Sequence, residues 1–125
     1  MKNKQYFNEI SPMNIEEQII PYQKLVKSHN AQLVAVSKTK PITAIEAAYE
    51  TGQRIFGENK VQELVEKHEI LPKDIKWHMI GHLQTNKVKY IAPFIDLIHA
   101  IDSLKLLKEI NKQALKNNRV IDCLL

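Results

Sequence analysis

The chain has 125 residues, 44% hydrophobic and 26% charged, with a formal net charge of +4; that is enough for one domain with a core and too little for two ordinary ones. No run approaches the roughly 20 apolar residues of a membrane helix, and Met1-Lys2-Asn3-Lys4-Gln5 leads into no apolar signal region, so a cytoplasmic protein with no membrane partner is expected. The basic charge is nearly all lysine interspersed with acids, without an Arg-rich patch or aromatic platform, which argues against nucleic acid.

In chain order, an amphipathic segment from about Asn14 to Ser28 comes first, within a leading helical segment over residues 1–30, and Pro21 is expected to kink or break it. The first strand runs from Leu33 to Val36 and delivers Ser37-Lys38-Thr39-Lys40-Pro41. Thr43-Ala44-Ile45-Glu46 reads as a capping box, with Gly52 at the left-handed end of that helix. A second strand, Arg54 to Phe56, is followed by Gly57-Glu58-Asn59, where Asn59 can cap a helix whose inward stripe is Val61, Leu64, Val65 and His68.

The third strand, Lys76 to Ile80, leads to Gly81-His82 and a helix from near Gln84 to Pro93. A fourth, Asp96 to His99, precedes a helix capped by Asp102 or Ser103, with Leu107, Ile110 and Ala114 inward. Val120 to Leu124 is the fifth strand. Glu63 with Lys67, and Lys105 with Glu109, are four apart and read as solvated helix surface. Cys123, the single cysteine, excludes an intrachain disulfide, agrees with a reducing compartment and reads as a small buried hydrophobe.

Strands alternating with helices specify an α/β fold with a parallel sheet. A small doubly wound sheet and the first half of an eight-stranded βα barrel both satisfy the pattern, because strands are buried on both faces in either. A last strand with no helix after it favours the cut barrel, and half a barrel exposes two strand edges, so this chain can self-associate.

Both architectures put their sites at the C-terminal ends of strands. There stand Lys38 and Lys40, then Gly57-Glu58-Asn59, Gly81-His82, His99 and Asp102. His78, His82 and His99 come from different elements, lack H-E-x-x-H spacing and have no cysteine companion, which speaks against metal; His78, between Trp77 and Met79, reads as a hydrogen-bonded core histidine. Neither G-x-S-x-G nor a Walker loop is present. Most lysines at strand ends are simply solvated, but one emerging from a dry sheet can act as an amine toward a carbonyl. Lysine-centred carbonyl chemistry is what remains.

Three stretches carry a specific resemblance: Val34-Ala35-Val36-Ser37-Lys38-Thr39-Lys40-Pro41, Phe56-Gly57-Glu58-Asn59-Lys60-Val61-Gln62-Glu63, and Trp77-His78-Met79-Ile80-Gly81-His82-Leu83-Gln84-Thr85-Asn86-Lys87. In order and spacing they resemble the YggS/PROSC family of pyridoxal 5'-phosphate (PLP) homeostasis proteins, over about residues 30 to 125. The resemblance implies one partial domain over residues 1–125, the N-terminal half of a (β/α)8 TIM-like barrel related to the alanine racemase N-terminal domain, PLP fold type III. It implies PLP as cofactor and small-molecule partner, held as an aldimine on Lys38, with Asn59 near the ring, Lys40 as a second lysine able to accept or relay PLP, and His82 beside them. Members are regarded as non-catalytic carriers or regulators. The alternative is a racemase-like PLP enzyme using Lys38 with a tyrosine from a second domain. Family members run to roughly twice this length, are expected to be monomers when complete, and bind the PLP phosphate with later Ser- and Gly-rich segments.

Overall fold

The computed structural model describes residues 15–125. They form two compact units, one from residues 15–33 and 39–53, the other from 34–38 and 54–125. The part of the expected leading helical segment over residues 1–14 lies outside the described residues.

In the first unit, helix α1 (Ile15–Ser28) carries Glu16 and Glu17 in its first turn and Lys27 in its last, charges that complement the helix dipole. The helix is continuous through Pro21, without the break that was one of the two expected outcomes. Pro21 and Glu17 are both exposed, so the carbonyl that loses its N–H partner can turn to water. Helix α2 (Ile42–Glu50) packs on α1 and buries Ala44, Ile45 and Ala48. It starts one residue before Thr43, with Pro41 at the N-cap and no side-chain cap, so the expected capping box does not form. Its end is as expected: Gly52 has φ +96°, a conformation that glycine adopts without a Cβ penalty. Gln23 Nε2 donates to Thr51 Oγ1 at 3.0 Å and to Gln53 Oε1 at 3.3 Å, and Gln53 Nε2 donates to the Leu33 carbonyl at 2.8 Å.

The second unit is a parallel five-stranded sheet in the order β1 (Ala35–Val36), β2 (Ile55–Glu58), β3 (Lys76–Met79), β4 (Leu97–Ile98), β5 (Asp122–Cys123). Sequential order decides what the hydrophobic pattern left open. A doubly wound sheet reverses strand order at its switch point, whereas barrel strands follow one another. The fold is α/β, the N-terminal part of a TIM-like barrel.

Register sorts the side chains by face. Phe56 pairs with Trp77, Glu58 with Met79, and Met79 with Ile98, and all of these are 0–1% exposed. Leu64 of α3 (Val61–Ile70), Val88 and Ile91 of α4 (Val88–Ile91), and Leu106 and Ile110 of α5 (Leu104–Lys116) are equally buried. The alternate positions, Val36, Gly57, His78, Leu97 and Asp122, share the other face, where Val36 is 52% exposed. One face is therefore sealed and the other is partly open.

All five expected strands exist, with one shift that matters: β2 extends through Glu58, so Gly57 and Glu58 lie inside the strand and not in the loop after it. Asn59 does not cap α3. The N-cap is Lys60, one residue later, without a side-chain cap. A 3-10 turn (Thr85–Lys87) leads into α4, which ends before Pro93 as expected. In α5 the buried stripe is Leu106, Ile110, Gln113 and Ala114, one residue off the expected Leu107. Arg119 Nη1 and Nη2 donate to the carbonyls of Ala92 at 2.6 Å and Ile95 at 2.8 Å, supplying donors to the chain after α4. Cys123 is half-buried, and burial followed by the Asp122 charge pushes its thiol up.

Of the two expected caps for α5, Ser103 is the one in place, its Oγ accepting from the Leu106 N–H at 3.1 Å. Ser103→Ala should therefore lower stability by about 1 kcal/mol and Ser103→Asp should retain it, measured as the urea midpoint at constant slope. An alanine variant within a few tenths of the parent would show that the cap contributes nothing.

Candidate functional site

Lys38 stands where β1 runs out. Ser37 continues the ladder by one residue, its N–H donating to the Gly57 carbonyl at 3.0 Å, and by strand alternation Lys38 follows on the face of Val36. It is exposed, so the desolvation expected of a lysine leaving a dry sheet is absent. Among the described residues its ammonium has no hydrogen bond or ion pair. The chain then turns at Thr39 with φ +62°, a left-handed conformation unusual for a β-branched residue and costing on the order of 1–3 kcal/mol.

Behind Lys38 lies a buried ionic network that sequence reasoning missed. Lys67, assigned above to a solvated helix face with Glu63, is 5% exposed, and Glu58 is fully buried. Lys67 Nζ donates to Glu58 Oε2 at 2.8 Å, to Glu63 Oε2 at 2.8 Å and to the Ser37 carbonyl at 2.6 Å. The Ser37 hydroxyl is hydrogen-bonded to the same Glu58 oxygen. Burial pushes the Glu58 carboxyl up, and the hydrogen bonds from Lys67 and Ser37 pull it back. A signal was available: Lys67 lies three residues after Leu64, hence on the inward stripe of α3.

The ends of β2 and β3 meet closely. A Cβ on Gly81 would stand 2.6 Å from Asn59 Cβ and 2.9 Å from both Asn59 Cα and its carbonyl oxygen, so only glycine allows this approach. Gly57 is a packing position, where a Cβ would meet Ile80 Cδ1 at 3.0 Å and Val34 Cγ1 at 3.1 Å. Asn59 and His82 share a groove of about 610 Å³ whose walls include Gln62, Glu66, Lys87 and Tyr90. Lys38 is not on those walls. Lys40 is exposed and belongs to the first unit. His82 Nδ1 lies 3.4 Å from Asp102 Oδ2, both side chains well exposed.

His78 is a hydrogen-bonded core histidine, as expected. Its Nδ1 is 3.0 Å from His99 Nε2 and its Nε2 is 3.3 Å from Asp96 Oδ2. If Nε2–H donates to the carboxylate, neutral His78 accepts at Nδ1 and His99 must donate from Nε2. Burial lowers the His78 pKa, helped by the nearby His99 and Lys76 and opposed by Asp96. Among the described residues no group of three or more His, Cys, Asp or Glu is arranged to hold a metal ion, and no helix is long and apolar enough to cross a membrane.

Residues 10–125 match the alanine racemase N-terminal domain family. The chain is 48% identical over 96 residues to the pyridoxal phosphate homeostasis protein of Aquifex aeolicus, covering 76% of this chain and 42% of that protein. It is 47% identical over 85 residues to the protein of the same name in Escherichia coli K12, covering 65% and 36%. The solved structure of PipY from Synechococcus elongatus with PLP bound superposes with a TM-score of 0.80 at 38% identity, over 87% of this chain and 52% of that one. PipY without PLP gives 0.79. The chain spans about two fifths of the first curated relative and about half of PipY.

The histidines give a pH prediction. His68 stacks on Phe94, with ring centroids 3.7 Å apart, and its pKa is lowered by burial and then by Lys73. For both His68 and His78 the unfolded chain takes up a proton near pH 6.5, whereas the folded chain does so only at lower pH. Their contribution is present above about pH 6.5 and is lost as pH falls through the folded values. His78→Gln should flatten the fall in urea midpoint between about pH 7 and 5. An unchanged slope would mean that His78 does not couple folding to protons.

Proposed function

The chain belongs to the alanine racemase N-terminal domain family, and on that premise we propose that it binds PLP in a homeostatic role, with Lys38 as the amine that captures the cofactor's aldehyde. The observation that carries this reading is an exposed lysine at the end of the first parallel strand, without a partner among the described residues, on a backbone held from behind. Access and orientation, more than desolvation, recommend it. PLP supplies an aldehyde that a primary amine can take up covalently.

Fit at the aldehyde end is good. Lys38 is accessible, and Asn59, half-buried against Gly81, can offer its amide to a planar ring at the same rim of the sheet. His82, exposed, is a candidate for contact with the bound group, and Lys40 for a second, transferring amine. Family resemblance assigns the phosphate end to later segments, and the residues in hand argue only for the aldehyde and ring ends of the cofactor.

A carrier or regulatory role is favoured over turnover because relatives at 41–48% identity bear homeostasis names. The racemase reading draws on the family's name alone, and incubation with L-alanine and PLP should yield no D-alanine. The single cysteine accords with a reducing, cytoplasmic setting.

Borohydride reduction of the protein with PLP should fix the pyridoxyl group mainly on Lys38, read by peptide mass spectrometry. Label concentrated on another lysine would refute the assignment. Asn59→Asp should shift the visible spectrum of the bound cofactor with little change in stability, since Asn59 is not a helix cap. An unchanged spectrum would remove Asn59 from the site.

A further inference from the structure

We propose that Glu58 and Lys67 are positioning residues for Lys38, a buried pair whose task is to fix the peptide from which that lysine departs. The inference rests on the proposed role of Lys38 and adds residues that never touch the cofactor. Three polar groups of Ser37 are held at once: the N–H by the Gly57 carbonyl at 3.0 Å, the hydroxyl by Glu58, and the carbonyl by Lys67 at 2.6 Å. That carbonyl belongs to the planar peptide joining Ser37 to Lys38, so holding it fixes the plane from which Lys38 Cα leaves. The turn at Thr39, φ +62°, follows at once, and strained backbone persists only where its surroundings over-determine it.

Donor accounting sharpens the argument. An ammonium has three N–H donors, and Lys67 spends them on Ser37 O, Glu58 and Glu63. Its position is saturated. Stability alone does not explain such a device, because taking two charges out of water is costly and apolar residues of similar volume often serve a core as well or better. An apolar pair could not grip a carbonyl. Of the three bonds, the one to Ser37 reaches main chain rather than a charge, and it does so directly before the exposed lysine.

The test uses the whole 125-residue chain with three variants: Glu58→Met/Lys67→Met, which replaces the pair by apolar side chains, Ser37→Ala, and Lys67→Arg. Thermal melting and amide exchange at Ser37 are read without cofactor, and the share of borohydride-fixed pyridoxyl on Lys38 relative to other lysines is read with PLP. The double variant should melt near the parent temperature, exchange the Ser37 amide faster, and lose preference for Lys38 by on the order of tenfold or more, as misplacement of a reacting group does. Ser37→Ala should move the same way by less, and it carries the test should the double variant not fold. Lys67→Arg should restore most of the preference. A folded double variant or Ser37→Ala chain that keeps the parent's preference for Lys38 overturns the proposal, leaving the pair a purely structural one. A parent protein labelled chiefly elsewhere overturns the PLP role of Lys38 instead, and unchanged Ser37 exchange in the variants then rejects the clamp separately.

Discussion

A lysine ammonium buried between two carboxylates and a main-chain carbonyl is the interaction on which the second unit turns. Lys67 belongs to α3, Glu58 to β2 and Ser37 to the end of β1, so one set of bonds joins a helix to two strands. Each partner depends on the others. Without Lys67, Glu58 would be a buried carboxylate with only a hydroxyl for company, a situation costing about 3–5 kcal/mol when one member of such a pair is removed. Without Glu58 and Glu63, Lys67 would have no reason to stay out of water. Removing either charge of the pair therefore leaves the other buried and uncompensated.

Around it the sheet divides the labour. The face bearing Phe56, Glu58, Trp77, Met79 and Ile98 is sealed, and the hydrophobic burial there supplies the bulk of the driving force. The alternate face stays partly open at Val36 and Asp122. Polar and reactive groups gather where strands end: Lys38 after β1, Asn59 after β2, His82 after β3, His99 after β4. Close approach of Gly81 to Asn59 shows why glycine follows a buried strand at that rim. It is the arrangement expected of a barrel fold, in which loops at the C-terminal ends of strands carry function while the strands carry stability.

Much of this was legible in the residues. Five short apolar runs announced five strands because parallel strands are buried on both faces and read as continuous hydrophobic stretches. Ser103 and Gly52 announced helix ends because their roles are local. Asn59 misled because a capping residue is identified only once the helix start is known, and the start came one residue later. Glu63 and Lys67 misled more seriously: spacing of four is the same for a solvated pair and a buried one, and only the partner supplied by β2 distinguishes them. The barrel was not separable from a doubly wound sheet by composition, because strand order is a property of three-dimensional pairing. Family resemblance named Lys38, but the residues that hold it in place came from geometry.

Whether Lys38 is the amine that takes up PLP is the claim most directly exposed to measurement. Native mass spectrometry of the chain titrated with PLP should show one cofactor per chain, saturating with concentration, and no specific adduct in Lys38→Ala. Adducts that accumulate without a plateau, in equal number on the parent and on Lys38→Ala, would contradict it.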